Sequence, residues 1–95
     1  MEICRFPNKL KMFRRSTGYS QKKVARMLGL SDTSTLSRWE HGSKVPNMVQ
    51  VFRLARIYRT WPHELFTELW YRIDSEFNLL AQNDESVNNN HSFHI

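Results

Sequence analysis

The stretch Gln21-Lys22-Lys23-Val24-Ala25-Arg26-Met27-Leu28-Gly29-Leu30-Ser31-Asp32-Thr33-Ser34-Thr35-Leu36-Ser37-Arg38-Trp39-Glu40 carries the clearest structural signal in this chain of 95 residues. Ser20 is a good helix N-cap, and Val24, Ala25 and Leu28 follow at the spacing of one buried face, so a helix is predicted over residues 21–28. Gly29 then supplies a left-handed backbone conformation without a Cβ clash, and Leu30 plugs the corner. The small side chain of Ala25 lets the next helix cross closely. Ser31 or Asp32 caps that next helix, which reaches about His41 with Leu36 and Trp39 inward. Thr33, Ser34, Thr35, Ser37 and Arg38 are left pointing outward. The reading is of two short helices joined by a glycine turn.

Working away from this pair, Gly18 and Gly42 also stand where a helix-period apolar pattern stops, as C-terminal caps do. Before Gly18, Leu10 and Phe13, with Ile3 and Phe6 upstream, predict a first helix over about residues 8–16, its outer side made basic by Lys9, Lys11, Arg14 and Arg15. Beyond Gly42 a short loop leads to Pro46, and Val51, Leu54, Ala55 and Tyr58 recur at spacings of three and four, predicting a fourth helix over residues 47–58. Thr60 as cap and Pro62 in the first turn begin a fifth over residues 62–81, with an apolar stripe of Leu65, Phe66, Leu69, Trp70, Ile73, Phe77 and Leu80. From Gln82 onward Asn, Ser and acidic residues dominate, the composition of a disordered tail. The expected fold class is all-α, a compact bundle of five helices with the fifth extended. No convincing strand and no internal repeat is found.

Charge is unevenly spread. Residues 1–60 hold 13 basic and 3 acidic side chains, a net +10, whereas residues 61–95 hold 1 basic and 6 acidic, a net −5. A +10 block repels itself and is stabilised by a polyanion, because each phosphate neutralised releases counterions. Nucleic acid is therefore the leading partner on charge, with a simply solvated basic surface as the plain alternative. An anionic membrane is the weaker choice, since the basic residues are not confined to one amphipathic face. Neither a transmembrane stretch nor an apolar signal-peptide core is present in the sequence, and a cytoplasmic location is expected. The single cysteine, Cys4, and four scattered histidines have no zinc-ligand spacing, so no metal is expected. The histidines have no carboxylate or nucleophile suitably spaced, and no phosphate-binding glycine loop occurs. The chain is read as a non-enzyme with no cofactor and no small-molecule ligand.

Taken together, Ser20-Gln21, Ala25, Leu28-Gly29, Ser37-Arg38-Trp39-Glu40, Gly42 and Pro46, flanked by Leu10, Arg14, Leu54-Ala55 and Leu65, make the chain resemble the Xre/Cro-like repressor family of helix-turn-helix proteins. The resemblance covers about residues 9–66. It implies a DNA-binding domain over residues 1–66; the extension of the fifth helix over 67–81 and the tail over 82–95 lie beyond it and are read from the residues alone. It also implies that the third helix docks in the major groove of double-stranded DNA while the first turn of the second helix sits on the backbone. Carried over by position, Thr33, Ser34, Ser37 and Arg38 are the base-reading candidates. Arg38 is foremost among them because a guanidinium bonds O6 and N7 of guanine together. Gln21, Lys22, Thr35, Ser43 and Lys44 are the phosphate-contact candidates. Arg14 and Glu40 match a structural ion pair of the family. This chain departs from the common spacing by one extra residue between Gly29 and Ser37, placed here in Ser31-Asp32, which leaves Thr33 at the first outward recognition position.

Each of these assignments has a structural alternative. Thr33, Ser34 and Thr35 are also ordinary capping residues, Arg38 an ordinary surface arginine, and Gln21 an ordinary first-turn residue. Asp32 beside phosphates is repulsive unless turned inward as a cap. The extended fifth helix either folds back to thicken the domain's own core or forms a dimer surface. On function, the resemblance implies a sequence-specific transcriptional regulator, a repressor acting by operator occupancy. The rival is a protein-interaction module, an antitoxin or adaptor, working through the fifth helix and the tail.

Overall fold

The computed structural model describes residues 5–83. Their helices are α1 (Leu10–Thr17), α2 (Gln21–Met27), α3 (Ser34–His41), α4 (Met48–Tyr58) and α5 (Thr67–Asn83), with a 3-10 turn at Pro62–Phe66 between the last two. No strand occurs among the described residues. The all-helical bundle with an extended final helix is thus the observed architecture. Ile3 and the tail beyond Asn83 lie outside the described residues.

The helix starts follow local chemistry. Ser20 Oγ accepts from the Lys23 amide at 3.0 Å and Asn47 Oδ1 from the Gln50 amide at 2.8 Å, so each satisfies one orphan donor of the first turn. Helix α1 begins at Leu10 rather than at residue 8. The Asn8 side chain is spent outside the helix: its Oδ1 accepts from the Leu10 amide, and its Nδ2 donates to the carbonyls of Phe6 and Trp39. The last of these bonds, with Arg5 and Phe6 amides donating to Gly42 O at 2.9 and 3.0 Å, fastens the amino-terminal segment to the end of α3.

One core holds the bundle. Leu10 of α1, Val24 and Leu28 of α2, Leu36 and Trp39 of α3, and Leu54, Ala55 and Tyr58 of α4 are buried together with Leu65 and Phe66 of the 3-10 turn. Burying side chains of this size removes about 1.5–3 kcal/mol of unfavourable hydration each, opposed by ordering entropy. Helix α3 packs against both α1 and α2, so its inward stripe of Leu36 and Trp39 fixes which face is left to solvent.

The fifth element departs from an unbroken helix over residues 62–81. Pro62 has no amide to donate, and the Leu65 carbonyl accepts from the Lys9 amide at 2.8 Å, outside its own helix. The chain therefore makes a 3-10 turn that delivers Leu65 and Phe66 to the core before α5 starts. Thr60 is not the cap residue. Its hydroxyl donates instead to the Glu64 carboxylate, which also accepts from the Trp61 amide. Helix α5 then continues through Gln82 and Asn83, two residues into the stretch expected to be disordered. It has no buried residue, and only Leu69 packs partly against the core. Trp70, Ile73, Phe77 and Leu80 are exposed, so folding back over its own domain is not the arrangement of this helix.

Candidate nucleic-acid interface

Helix α3 presents Ser34, Ser37, Arg38 and His41 on one side, at the spacings of three and four that align side chains along a helix. Ser34, Arg38 and His41 are exposed and Ser37 is half-buried, while Leu36 and Trp39 opposite are in the core. Thr35 lies at the edge of this face, half-buried. His41 was not among the sequence candidates, although its place seven residues after Ser34 already puts it on the same line. Its Nδ1 is 2.8 Å from the Ser37 carbonyl; a carbonyl only accepts, so Nδ1 carries the hydrogen and Nε2 remains for an outside partner.

The entrance to this helix differs from the expected one. Thr33 is the N-cap, not the first outward helical position, and its side chain makes no capping bond. The cap is supplied by Asp32, whose Oδ1 accepts from the Ser34 amide at 2.9 Å and also from the Ser34 hydroxyl. An Asx turn at Asp32 thus precedes α3, which starts at Ser34. It also gives the carboxylate a partner that offsets its unfavourable sign. Those two bonds from Ser34 hold the Asp32 carboxyl below its ordinary value, with the positive charge of Arg38 adding to the effect.

Because the folded value is depressed, the bonds are fully present above the unfolded carboxyl value of about 3.9 and are lost as pH falls through the lower folded value. An NMR titration should therefore show the Ser34 amide shifting with a midpoint below about 3.9. Asp32→Asn should abolish the titration yet keep the cap, since an amide oxygen also accepts, though less strongly than a carboxylate. A midpoint at or above the ordinary value would remove the cap from the account.

Behind the exposed face, α3 is braced by an ion-pair network. Arg14 Nε donates to Glu40 Oε2 at 2.6 Å and Arg14 Nη2 to Oε1 at 3.2 Å, a two-point contact between α1 and α3. Arg14 Nη1 also donates to the Tyr19 carbonyl at 3.1 Å, just before α2. Gln21 completes the set, its Nε2 donating to Glu40 Oε1 at 2.9 Å. Glu40 thus ties α1, α2 and α3 together, and its side chain is only 2% exposed. The Glu40 bonds hold the guanidinium of Arg14 in its charged form against the effect of burial. Tyr58 lies beside the pair, and burial, helped by the Glu40 charge, pushes its hydroxyl above the ordinary tyrosine value.

The remaining candidates fall into two places. Lys22 is exposed in the first turn of α2 and lines a crevice with Arg26 on one side and Asp32 and Thr33 on the other. Arg26 is a second basic residue there that the sequence reading did not single out; it lies four positions after Lys22, on the same side of α2. Ser43 and Lys44 fold over the end of α3, where the amides of both and the Ser43 hydroxyl approach the Arg38 carbonyl. The Ser43 hydroxyl hydrogen is used there as a cap, and Lys44 keeps an exposed side chain. Gln21 has one amide hydrogen left after serving Glu40.

Among the described residues no three His, Cys, Asp or Glu side chains cluster in a way that holds a metal ion, and no helix is long and apolar enough to cross a membrane. The helix-turn-helix family model matches residues 10–65, more than half of the chain. No curated protein and no solved structure matches it. The matched span runs from the first residue of α1 to the core leucine of the 3-10 turn and encloses the Arg14–Glu40–Gln21 brace, α2, the glycine turn and the solvent face of α3. The chain belongs to the Xre/Cro-like helix-turn-helix family, a family of DNA-binding transcription regulators.

Proposed function

We propose that the protein is a sequence-specific regulator that binds double-stranded DNA and represses transcription in the cytoplasm by occupying an operator. The observation that carries this reading is the solvent face of α3, lined by Ser34, Ser37, Arg38 and His41 and backed by a fixed core and a two-point ion pair. Arg38 bonds guanine through two hydrogen bonds, worth about 1–3 kcal/mol of discrimination. Ser34 and Ser37 offer hydroxyls to several bases, and Thr33 at the helix entrance contributes a methyl or hydroxyl beside them. Lys22, Lys44, the remaining Gln21 amide hydrogen, Thr35 and the backbone at Ser43 hold phosphates and set orientation.

The regulator acts as a homodimer through α5. One short reading helix discriminates too few base pairs to single out a genomic site, whereas a two-fold pair presents two of them about 34 Å apart. The exposed apolar stripe of α5 supports a protein contact there, with a second copy as the partner. Fluorescence anisotropy with duplex DNA at two salt concentrations tests the DNA reading. Binding that weakens steeply as salt rises is expected, and undetectable or salt-independent binding removes the proposal.

A further inference from the structure

Two apolar surfaces of this chain are uncovered, and their charges are opposite. The first is the α5 stripe of Trp70, Ile73, Phe77 and Leu80, with Phe77 65% exposed. At one hundred degrees per residue Asp74 and Glu76 flank this stripe on either side. The second is a shallow groove between α2 and α4, lined by Met27, Val49, Phe52, Arg53 and Arg56. Val49, Phe52, Arg53 and Arg56 share one side of α4, opposite the buried Leu54, Ala55 and Tyr58. Met27 is 49% and Phe52 55% exposed, and neither belongs to the reading face of α3.

We infer that the α5 stripe of one copy seats in the α2–α4 groove of a second copy, and reciprocally, so that the dimer is an exchange of fifth helices. This deepens the dimeric reading above and rests on it. Pairing of α5 with α5 is disfavoured by charge, because Asp74 and Glu76 flank the stripe on both sides while Arg72 lies away from it, 3.6 Å from Glu68. Two such helices laid together place like charges along one seam, which is repulsive. In the groove the same stripe meets the apolar Met27, Val49 and Phe52, and its flanking carboxylates meet Arg53 and Arg56. Each surface supplies what the other lacks, an aromatic ridge for a hollow and acid for base. An exchange is two-fold symmetric by construction, as a closed dimer requires.

The test is sedimentation equilibrium of the full chain without DNA, so that it is independent of whether the protein binds an operator. One variant carries Arg53→Glu and Arg56→Glu, the other Asp74→Lys and Glu76→Lys; all four side chains are exposed, and circular dichroism checks that helicity is kept. Each variant alone places like charges in both seams and should dimerise at least about ten-fold more weakly than wild type. An equimolar mixture pairs the acidic α5 of the first with the arginine groove of the second, and the reversed α5 with the reversed groove, so it should regain wild-type association. Should a reversal unfold the chain, Phe52→Ala and Phe77→Ala ask the same question, and each should weaken the dimer. A groove variant that dimerises like wild type overturns the exchange while leaving the dimer through α5 standing. A mixture no tighter than its parts also overturns it. A wild type that stays monomeric at all concentrations overturns both the exchange and the dimeric reading, with the DNA reading judged separately by anisotropy.

Discussion

Arg14→Met is expected to destabilise the protein by about 3–5 kcal/mol, a large fraction of the 5–15 kcal/mol that holds a typical domain together. The reason lies in what is left behind. Glu40 has a side chain 2% exposed and would be left with only the Gln21 amide as donor. Losing Arg14 also frees the Tyr19 carbonyl from its bond at 3.1 Å, loosening the approach to α2. Removing both charges together, as Arg14→Met with Glu40→Leu, should recover most of the loss, because no uncompensated charge then remains buried. Urea unfolding of the wild type and the two variants measures this. A single Arg14→Met that costs less than about 1 kcal/mol, the range of an exposed ion pair, would mean that the pair is a surface contact and not the brace of α3.

Affinity for duplex DNA is expected to fall by about 10³-fold or more between roughly 50 and 200 mM salt, the loss found for six to ten phosphate contacts. The count follows from the proposed dimer. On that proposal each copy sets exposed Lys22 and Lys44 against the backbone, with Arg26 in the crevice beside Lys22 as a further cation, and the second copy doubles them. Lys22→Ala should reduce the steepness of the dependence and weaken all sequences alike, since a phosphate contact carries no base information. A slope close to that of a single contact would point to a monomer on DNA, and a flat one to no phosphate contacts at all.

The division between what the sequence revealed and what it concealed follows the physics of each feature. Helix count, the inward stripes and the three glycine positions were legible because periodicity and positive φ each leave a residue-type mark; Gly18, Gly29 and Gly42 all have φ between 75° and 80°. The end of α4 at Tyr58 was legible from periodicity alone, since it is closed by Arg59 in the left-handed region at φ 56°, where a glycine is the usual choice. Of the two caps expected for α3, Ser31 and Asp32, only the three-dimensional turn selects Asp32, and it leaves Thr33 as the N-cap before the helix begins at Ser34. The break before α5 was hidden for a different reason. It depends on a bond from the Lys9 amide to the Leu65 carbonyl, a contact across most of the domain that no local window contains. On the solvent face of α3, the outward placement of Ser34, Ser37 and Arg38 is legible from helical spacing, while a base-reading role for them is what the family resemblance implies; His41 follows the same spacing but was assigned only to the helix end. The second role of Gln21, as a donor to Glu40, needs the packing of α2 against α3 to be known first.

The claim on which the account turns is that the exposed side of α3 reads base pairs, and selection of bound duplexes from a random pool by the wild-type protein and by Arg38→Ala addresses it most directly. The account predicts an inverted repeat for wild type, with guanine fixed at one position of each half-site and that preference alone relaxed in Arg38→Ala. No enriched sequence, or an enriched sequence identical for the two proteins, would contradict it.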